Sequence, residues 1–332
     1  MSEDVLEKVV RTTEVAAGSG GLLNPDQANR FIDYMWDATV LGQQVRTIRM
    51  RANTADIDKV NVGERLMRLA TEAVDTGVNA GATFTKVSIT TVKLRMDFEI
   101  STESLEDNIE GDALEDHIAR LMATQAGNDI EDVSINGDVS QTSVQLINAL
   151  DGWSVKALAG AHVVDQGGAA LNRAAFNAAL KKMPRKFMQN RAALKFFSGS
   201  NLIQDYRYGL TQTSSGLIDL FELAGTITTQ GPVKPEGKAG FSIDAAYGLR
   251  IQEVPLFNEA KAGTYSGASG NHGELWLTYP QNLLVGIKRE VQVYREFRPK
   301  KDTTEYTVYV RTGVQIENTD AFVVVKNIKV QS

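Results

Sequence analysis

Val92-Lys93-Leu94-Arg95-Met96-Asp97-Phe98-Glu99-Ile100 is the stretch from which the rest of the chain is read. Val92, Leu94, Met96, Phe98 and Ile100 alternate with charged residues, the period-two pattern of a half-buried strand. Just before it, Val87 and Ile89 sit in the opposite phase. A one-residue phase switch turns every side chain to the other face, so a bulge or a new strand pairing is expected near Thr90 and Thr91. Just after it the chain becomes acidic: Glu103, Glu106, Asp107, Glu110, Asp112, Glu115 and Asp116 give seven acids in 14 residues with no base among them.

A long helix is expected over 112–135. Asp112 and Glu115 have capping-box spacing, and Leu114, Ile118, Leu121, Met122, Ile130 and Val133 recur at helical intervals. Asn136-Gly137 ends it, and its length is roughly 35 Å at ~1.5 Å per residue.

N-terminal to the strand, residues 1–23 are acidic and then small and Gly-rich, and read as a flexible arm. Asn24-Pro25 marks a helix start, with Ala28, Phe31, Ile32, Met35 and Thr39 on one face and an end at Gly42. Residues 44–51 read as extended, with Ile48 and Met50 facing one way and Arg49 and Arg51 the other. The stretch 52–83 has weak periodicity and three glycines (Gly63, Gly77, Gly81). A structureless loop of that length is out of keeping with a compact domain, so it reads as a projection ordered by a neighbour.

C-terminal to the helix the pattern is mixed α and β from 150 to 290. Residues 172–183 read as a helix with Phe176, Leu180 and Met183 inward, stopped before Pro184. Strands are expected at 194–197, 249–254 and 275–278, a helix at 200–209, and loops at 212–240 and 263–273. From 283 onward β-structure dominates: Tyr306, Val308 and Val310 alternate with polar neighbours, and a turn at 317–320 leads into 321–325.

Composition excludes several kinds of chemistry. The chain has 332 residues, room for about two domains, and is 42% hydrophobic and 23% charged, ordinary for a folded protein. It has no cysteine, so disulfides, thiolate nucleophiles and cysteine-ligated zinc are out. Its net charge of −6 argues against sequence-specific nucleic-acid binding. The longest apolar run, 321–325, is far below the ~20 residues of a membrane span, and the first residues lack the features of a secretory signal.

No catalytic, cofactor-binding or metal-ligating set emerges. Gly231-Pro232-Val233-Lys234-Pro235-Glu236-Gly237-Lys238 has the wrong spacing for a phosphate loop, and Ala239 replaces the needed hydroxyl. His117 falls early in the long helix, and His162 and His272 in Gly/Ala-rich loops; none has a second imidazole at ligand spacing. Asp56-Ile57-Asp58 is too short to specify a cation. The acidic run has three readings: a catalytic pair in a hydrolase, a helix N-terminus that favours negative charge, or an acidic surface for a basic partner. A counterpart lies at 46–68, where Arg46, Arg49, Arg51, Lys59, Arg65 and Arg68 stand against Asp56, Asp58 and Glu64. That segment is either a solvated basic face or the partner of the acids.

The order of elements resembles the major capsid proteins of tailed bacteriophages, the Hong Kong-type capsid fold. Three stretches between about Leu22 and Val330 carry the resemblance. One is the N-terminal helix, long loop and returning strand, from Pro25 to Ile100. The next runs from Phe98-Glu99-Ile100-Ser101 through Leu105-Glu106-Asp107-Asn108 to Ile135-Asn136-Gly137-Asp138. The last is Arg311-Thr312-Gly313-Val314-Gln315-Ile316 leading to Asp320-Ala321-Phe322.

The resemblance implies an α+β subunit with five parts. These are an N-arm (1–43), an extended loop (44–91), a peripheral domain with a spine helix (92–150), an axial domain (151–290) and the C-terminal strands of the peripheral domain (291–332). It implies hexamers and pentamers that close into an icosahedral shell around double-stranded DNA, which is held without sequence-specific binding. It implies a portal, a separate scaffolding protein (only a short acidic arm precedes the first helix) and room for a decoration protein. Assembly in the bacterial host cytoplasm and residence in the virion follow, with no membrane and no cofactor.

In such shells the extended loop lies over a neighbour. The expected inter-subunit contact joins Arg46, Arg49, Arg51, Lys59, Arg65 and Arg68 of one copy to Glu103, Glu106, Asp107 and Glu110 of another. Some members of the family crosslink a loop lysine to a neighbour's asparagine; Lys59 with Asn318 or Asn327 would be the candidates, without a specific signature. The alternative within the fold is an encapsulin-like compartment that encloses an enzyme.

Overall fold

The computed structural model describes residues 39–61, 83–101, 113–141, 146–212, 245–288 and 292–331. The expected arm and most of the first helix, Asp112 of the expected capping box, and the 212–240 loop apart from Gln212 lie outside them.

The deciding strand is β4 (Val92–Ser101), preceded by β1 (Arg46–Met50), β2 (Thr54–Asn61) and β3 (Thr83–Thr90). Its apolar side chains are half-buried, Ile100 is buried, and the charged ones are exposed. The phase switch at Thr90 and Thr91 is a change of partner. β3 pairs antiparallel with β2, while β4 pairs antiparallel with β12 (Thr303–Ile316). Thr91 marks the boundary: its amide (2.8 Å) and hydroxyl (2.9 Å) both donate to the Asn53 carbonyl.

The long helix, α1, runs Ala113–Asn136, 24 residues and about 36 Å. Ile130 and Val133 face the core as expected, but Leu121 is 54% exposed. Ala123 and Ala126 are buried in its place, because the helix packs closely where its side chains are small. The Asn-Gly-Asp that follows has a task at each position. Asn136 donates to Asp132 and to the Leu256 carbonyl, and accepts from the Asn258 amide. A Cβ on Gly137 would lie 2.3 Å from the Leu150 carbonyl oxygen and 2.5 Å from that of Val133, so only glycine fits this close backbone crossing. Asp138 accepts from the amide and hydroxyl of Ser140, which hold its carboxyl below the usual range.

Two sheets share the remaining strands. β12 lies between β4 on one edge and, on the other, β10 (Leu283–Lys288) and β11 (Gln292–Arg298); β1 adds to β10 in parallel. The mixed six-stranded sheet has the order β5 (His162–Asp165), β13 (Phe322–Lys329), β9 (His272–Thr278), β6 (Lys195–Ser198), β8 (Leu249–Glu253), β7 (Ala245–Ala246).

This second sheet is covered on both faces, which is why β9 and β13 read as apolar runs without clean alternation. Phe197, Trp276, Phe322 and Val324 point toward a core shared with α1, α2 (Trp153–Gly160) and the five-stranded sheet. Phe196, Leu275, Leu277, Val323 and Val325 point the other way. There they meet α3 (Arg173–Lys182) and α4 (Ser200–Gln212) through Phe176, Leu202 and Tyr206.

Several expectations are corrected. Residues 54–61 form a strand rather than part of a loop; Ala55, Ile57 and Lys59 make a weak alternation that conceals it. His162 and His272 are not loop residues but open β5 and β9, and His272 is buried. Ala321 belongs to the turn, and the last strand starts at Phe322.

Candidate assembly surface

The β2–β3 ribbon has two distinct faces. Cross-strand partners share a face in an antiparallel pair. Ala55 with Ile89, Ile57 with Val87 and Lys59 with Thr85 line one face; Asp56 with Ser88 and Asp58 with Lys86 line the other, which Phe84 shares. The first face rests on the subunit's own body: Ala55 and Ile57 pack on a buried cluster of Met50, Ile89 and Leu284. The second is exposed, and near its root it is polar and closed on itself, with Ser88 donating to Asp56 at 2.6 Å.

The basic residues are distributed unevenly over this unit. Arg49 and Arg51 are exposed at and just beyond β1, and Lys59 is half-buried on the ribbon. Arg46 already has a partner in its own subunit, Glu317 at 3.2 Å; both side chains are partly solvated, so the pair contributes ~0–1 kcal/mol. Arg65, Arg68, Glu103, Glu106, Asp107 and Glu110 lie outside the described residues.

β3 and β4 form one extended run beside β12. Gln315 Nε2 donates to the Ser88 carbonyl (2.9 Å), Thr312 is the register partner of Val92, and Thr303 that of Ser101. The part fixed beside β12 (88–101) is roughly 40 Å long at ~3.3 Å per residue. The ribbon therefore leaves one end of the run, and Ser101 ends the other.

Two further arrangements were not legible in the sequence. The carboxylate of Glu131, 3% exposed on α1, accepts from the Val40 amide at 3.0 Å and the Leu41 amide at 2.7 Å. This ties the end of the N-terminal segment to the long helix. Burial pushes the Glu131 carboxyl up against the opposing pull of the two amides. The other arrangement is centred on Glu274, which accepts from Ser154 (2.8 Å), Trp276 Nε1 (3.0 Å) and Lys261 (2.8 Å), while Lys261 also donates to Ser154 (2.6 Å). A serine beside a lysine invites a nucleophile-and-base reading. Ser154 is 2% exposed and its hydroxyl is engaged by Glu274, so the group works as a cross-brace between α2 and β9.

The remaining candidates are structural. His272 Nε2 meets the Tyr265 hydroxyl at 2.8 Å. Asn327 is 5% exposed; its amide donates to Asp165 and Thr264 and accepts from the Thr264 backbone. A neighbour's lysine reaches it only if this network opens. Asn318 caps the turn before β13. Among the described residues, no group of three or more His, Cys, Asp or Glu is placed to hold a metal, and no helix is long and apolar enough to cross a membrane.

A sheet braced by a long helix, a mixed sheet clad in short helices and a two-stranded ribbon rooted on the first sheet define a class. The chain has the Hong Kong-type fold of tailed-phage major capsid proteins, as its element order predicts. Its sequence is 26% identical over 294 residues to YqbE of Bacillus subtilis (strain 168), named as a prophage capsid protein, with 88% of each chain covered. The structure is similar to a chain of the satellite phage P4 procapsid that includes the size determination (Sid) protein. That match has a TM-score of 0.64 and 14% identity, and covers 100% of this chain and 99% of the other. It is also similar to the holo-SrpI encapsulin complex from Synechococcus elongatus PCC 7942, with a TM-score of 0.52, 12% identity, and 97% and 95% coverage. No family model matches the sequence.

Proposed function

We propose that this chain is a phage major capsid protein that assembles as hexamers and pentamers into an icosahedral shell around double-stranded DNA. The observation that carries the reading is the full-length match of its fold to a phage procapsid chain, joined to sequence similarity with a prophage capsid protein. In this reading 1–43 is the N-arm, 44–91 the extended loop, 92–150 with 291–332 the peripheral domain and 151–290 the axial domain. Portal, separate scaffolding and decoration proteins are the further partners, assembly takes place in the host cytoplasm, and the subunit has no catalytic task.

The contact between the basic 46–68 segment and the acidic 103–116 segment is part of the proposal. Opposite charge in the sequence supports it: 46–68 holds six bases against three acids, and 103–116 holds seven acids and no base. Such a contact is heterologous and closes into rings or shells by rotation. Each ion pair is weak, but a lattice repeats it many times.

The encapsulin similarity supports a second reading, a cellular compartment with an enzyme inside. The contents decide between them. Particles isolated from the native source should hold nuclease-protected DNA of defined length; particles that hold one protein species and no DNA overturn the phage reading in favour of the compartment.

A further inference from the structure

Between Asp165 and Asp205 the chain carries seven bases and no acid, in a protein whose net charge is −6. The fold presents most of these bases around one short helix. α3 buries Ala175, Phe176 and Ala179 against the mixed sheet, which leaves Arg173, Lys181 and Lys182 exposed. The turn that follows, Arg185–Met188, exposes Arg185 and Lys186 and is held in place by Tyr279, whose hydroxyl donates to the Phe187 carbonyl. Tyr247 joins the other end: its carbonyl accepts from the Arg191 guanidinium at 2.7 Å, and its hydroxyl donates to the Arg173 carbonyl at 3.3 Å. Bases thus stand at both ends of a helix of 10 residues, about 15 Å long. Lys181, Lys182 and Arg185 have no ion-pair partner among the described residues, whereas Lys186 meets Asp320 at 3.5 Å.

Resting on the shell reading above, we infer that this surface holds the phosphate backbone of the enclosed double-stranded DNA, without reading its sequence, and is the side of the subunit that faces the interior. The carbonyls of the last turn of α3 account for Lys181 and Lys182 alone. They give no reason for Arg173 at the other end, or for Arg185 and Arg191 beyond the helix. A protein partner would need an apolar centre within a polar rim. This surface has none: no large apolar side chain of 173–195 is exposed, and Leu180, Phe187 and Met188 are packed against the core beneath. Phosphates need charge and no apolar contact. At 3.4 Å of rise per nucleotide, a ~15 Å row of bases spans about four phosphates of one strand.

The test titrates a fluorescent DNA duplex of random sequence with the full-length unassembled subunit at increasing salt. The triple variant Lys181→Gln, Lys182→Gln, Arg185→Gln should keep the wild-type melting temperature, because all three side chains are exposed. It should weaken binding and lower the slope of log K against log salt by about 2.7, for three contacts at ~0.9 each. Lys181→Arg with Lys182→Arg, which keeps the charge, should keep the slope, as should Lys300→Gln on the β11–β12 turn. A triple variant with the wild-type affinity and slope overturns the inference. So does a wild-type subunit that prefers a poly-glutamate chain to the duplex, which would make the surface a dock for an acidic protein. Native particles that hold protein and no DNA instead overturn the shell reading on which the inference rests.

Discussion

Gly286 and Gly313 face each other across β10 and β12, and their missing side chains make the seat of the ribbon. A Cβ at 313 would lie 2.2 Å from the Thr90 carbonyl oxygen and 3.1 Å from the Thr91 Cα; one at 286 would lie 2.5 Å from the Met50 sulfur and 3.0 Å from Ile89. The chain thus crosses from ribbon to sheet directly over two residues that leave room for it. Position 313 meets backbone, whereas position 286 meets the end of a flexible side chain. Gly313→Ala should therefore destabilise the unassembled subunit by about 1–3 kcal/mol, and Gly286→Ala by less. Denaturant unfolding of the two variants checks the order, and equal effects would show that the root is not seated this way.

Glu131 holds two backbone amides on separate oxygens. Glu131→Gln replaces one acceptor with a donor and leaves one amide without its partner, at a cost of about 1–3 kcal/mol. Amide exchange at Val40 and Leu41 should quicken; unchanged exchange would refute the clamp.

The same residue makes stability depend on pH. Burial raises the Glu131 carboxyl above its unfolded value of 4.5, so the folded state binds this proton more tightly. Its contribution is fully present below the unfolded pKa and is lost as pH rises through the folded one. Thermal melts from pH 4 upward should show a weaker fall in that window for Glu131→Gln than for the wild type. Identical pH profiles would remove Glu131 as the source.

Lys261 and Glu274 are coupled through a shared bond to Ser154. Lys261→Met leaves a carboxylate that is 5% exposed without its cation, a loss of about 3–5 kcal/mol. The double variant Lys261→Met with Glu274→Gln should be less destabilised than the sum of its parts. Additive losses in a denaturant double-mutant cycle would show that the two residues act separately.

Charge reversal tests the proposed ribbon contact. Arg49→Glu with Arg51→Glu should impair assembly, and adding Glu106→Arg with Asp107→Arg should partly restore it. If the fourfold variant assembles no better than the twofold one, this pairing is wrong.

The elements legible in the sequence were those with one solvated face. β4 alternates because its charged side faces water, and α3 announces itself through Asn172, whose side chain accepts the Ala175 amide. β2 was hidden because its inward residues are an alanine, an isoleucine and a lysine, too weak a pattern against a loop background. The histidines were misplaced for a different reason. Glycines flank His272 in sequence, but Gly273 sits in β9, where a Cβ would lie 2.6 Å from Leu202. Glu131 and Glu274 gave no signal, because their partners are distant in sequence and only the tertiary fold brings them together. The resemblance was carried by residues with backbone tasks, such as Gly137 and Gly313, rather than by reactive groups.

Self-assembly is the claim on which the rest depends, and electron microscopy of the purified full-length protein tests it most directly. Closed icosahedral particles or sheets of hexamers, built from this chain alone or with its scaffold, are the expected result. A protein that stays monomeric, with and without a co-expressed scaffold, at concentrations well above those of assembling capsid subunits would contradict it.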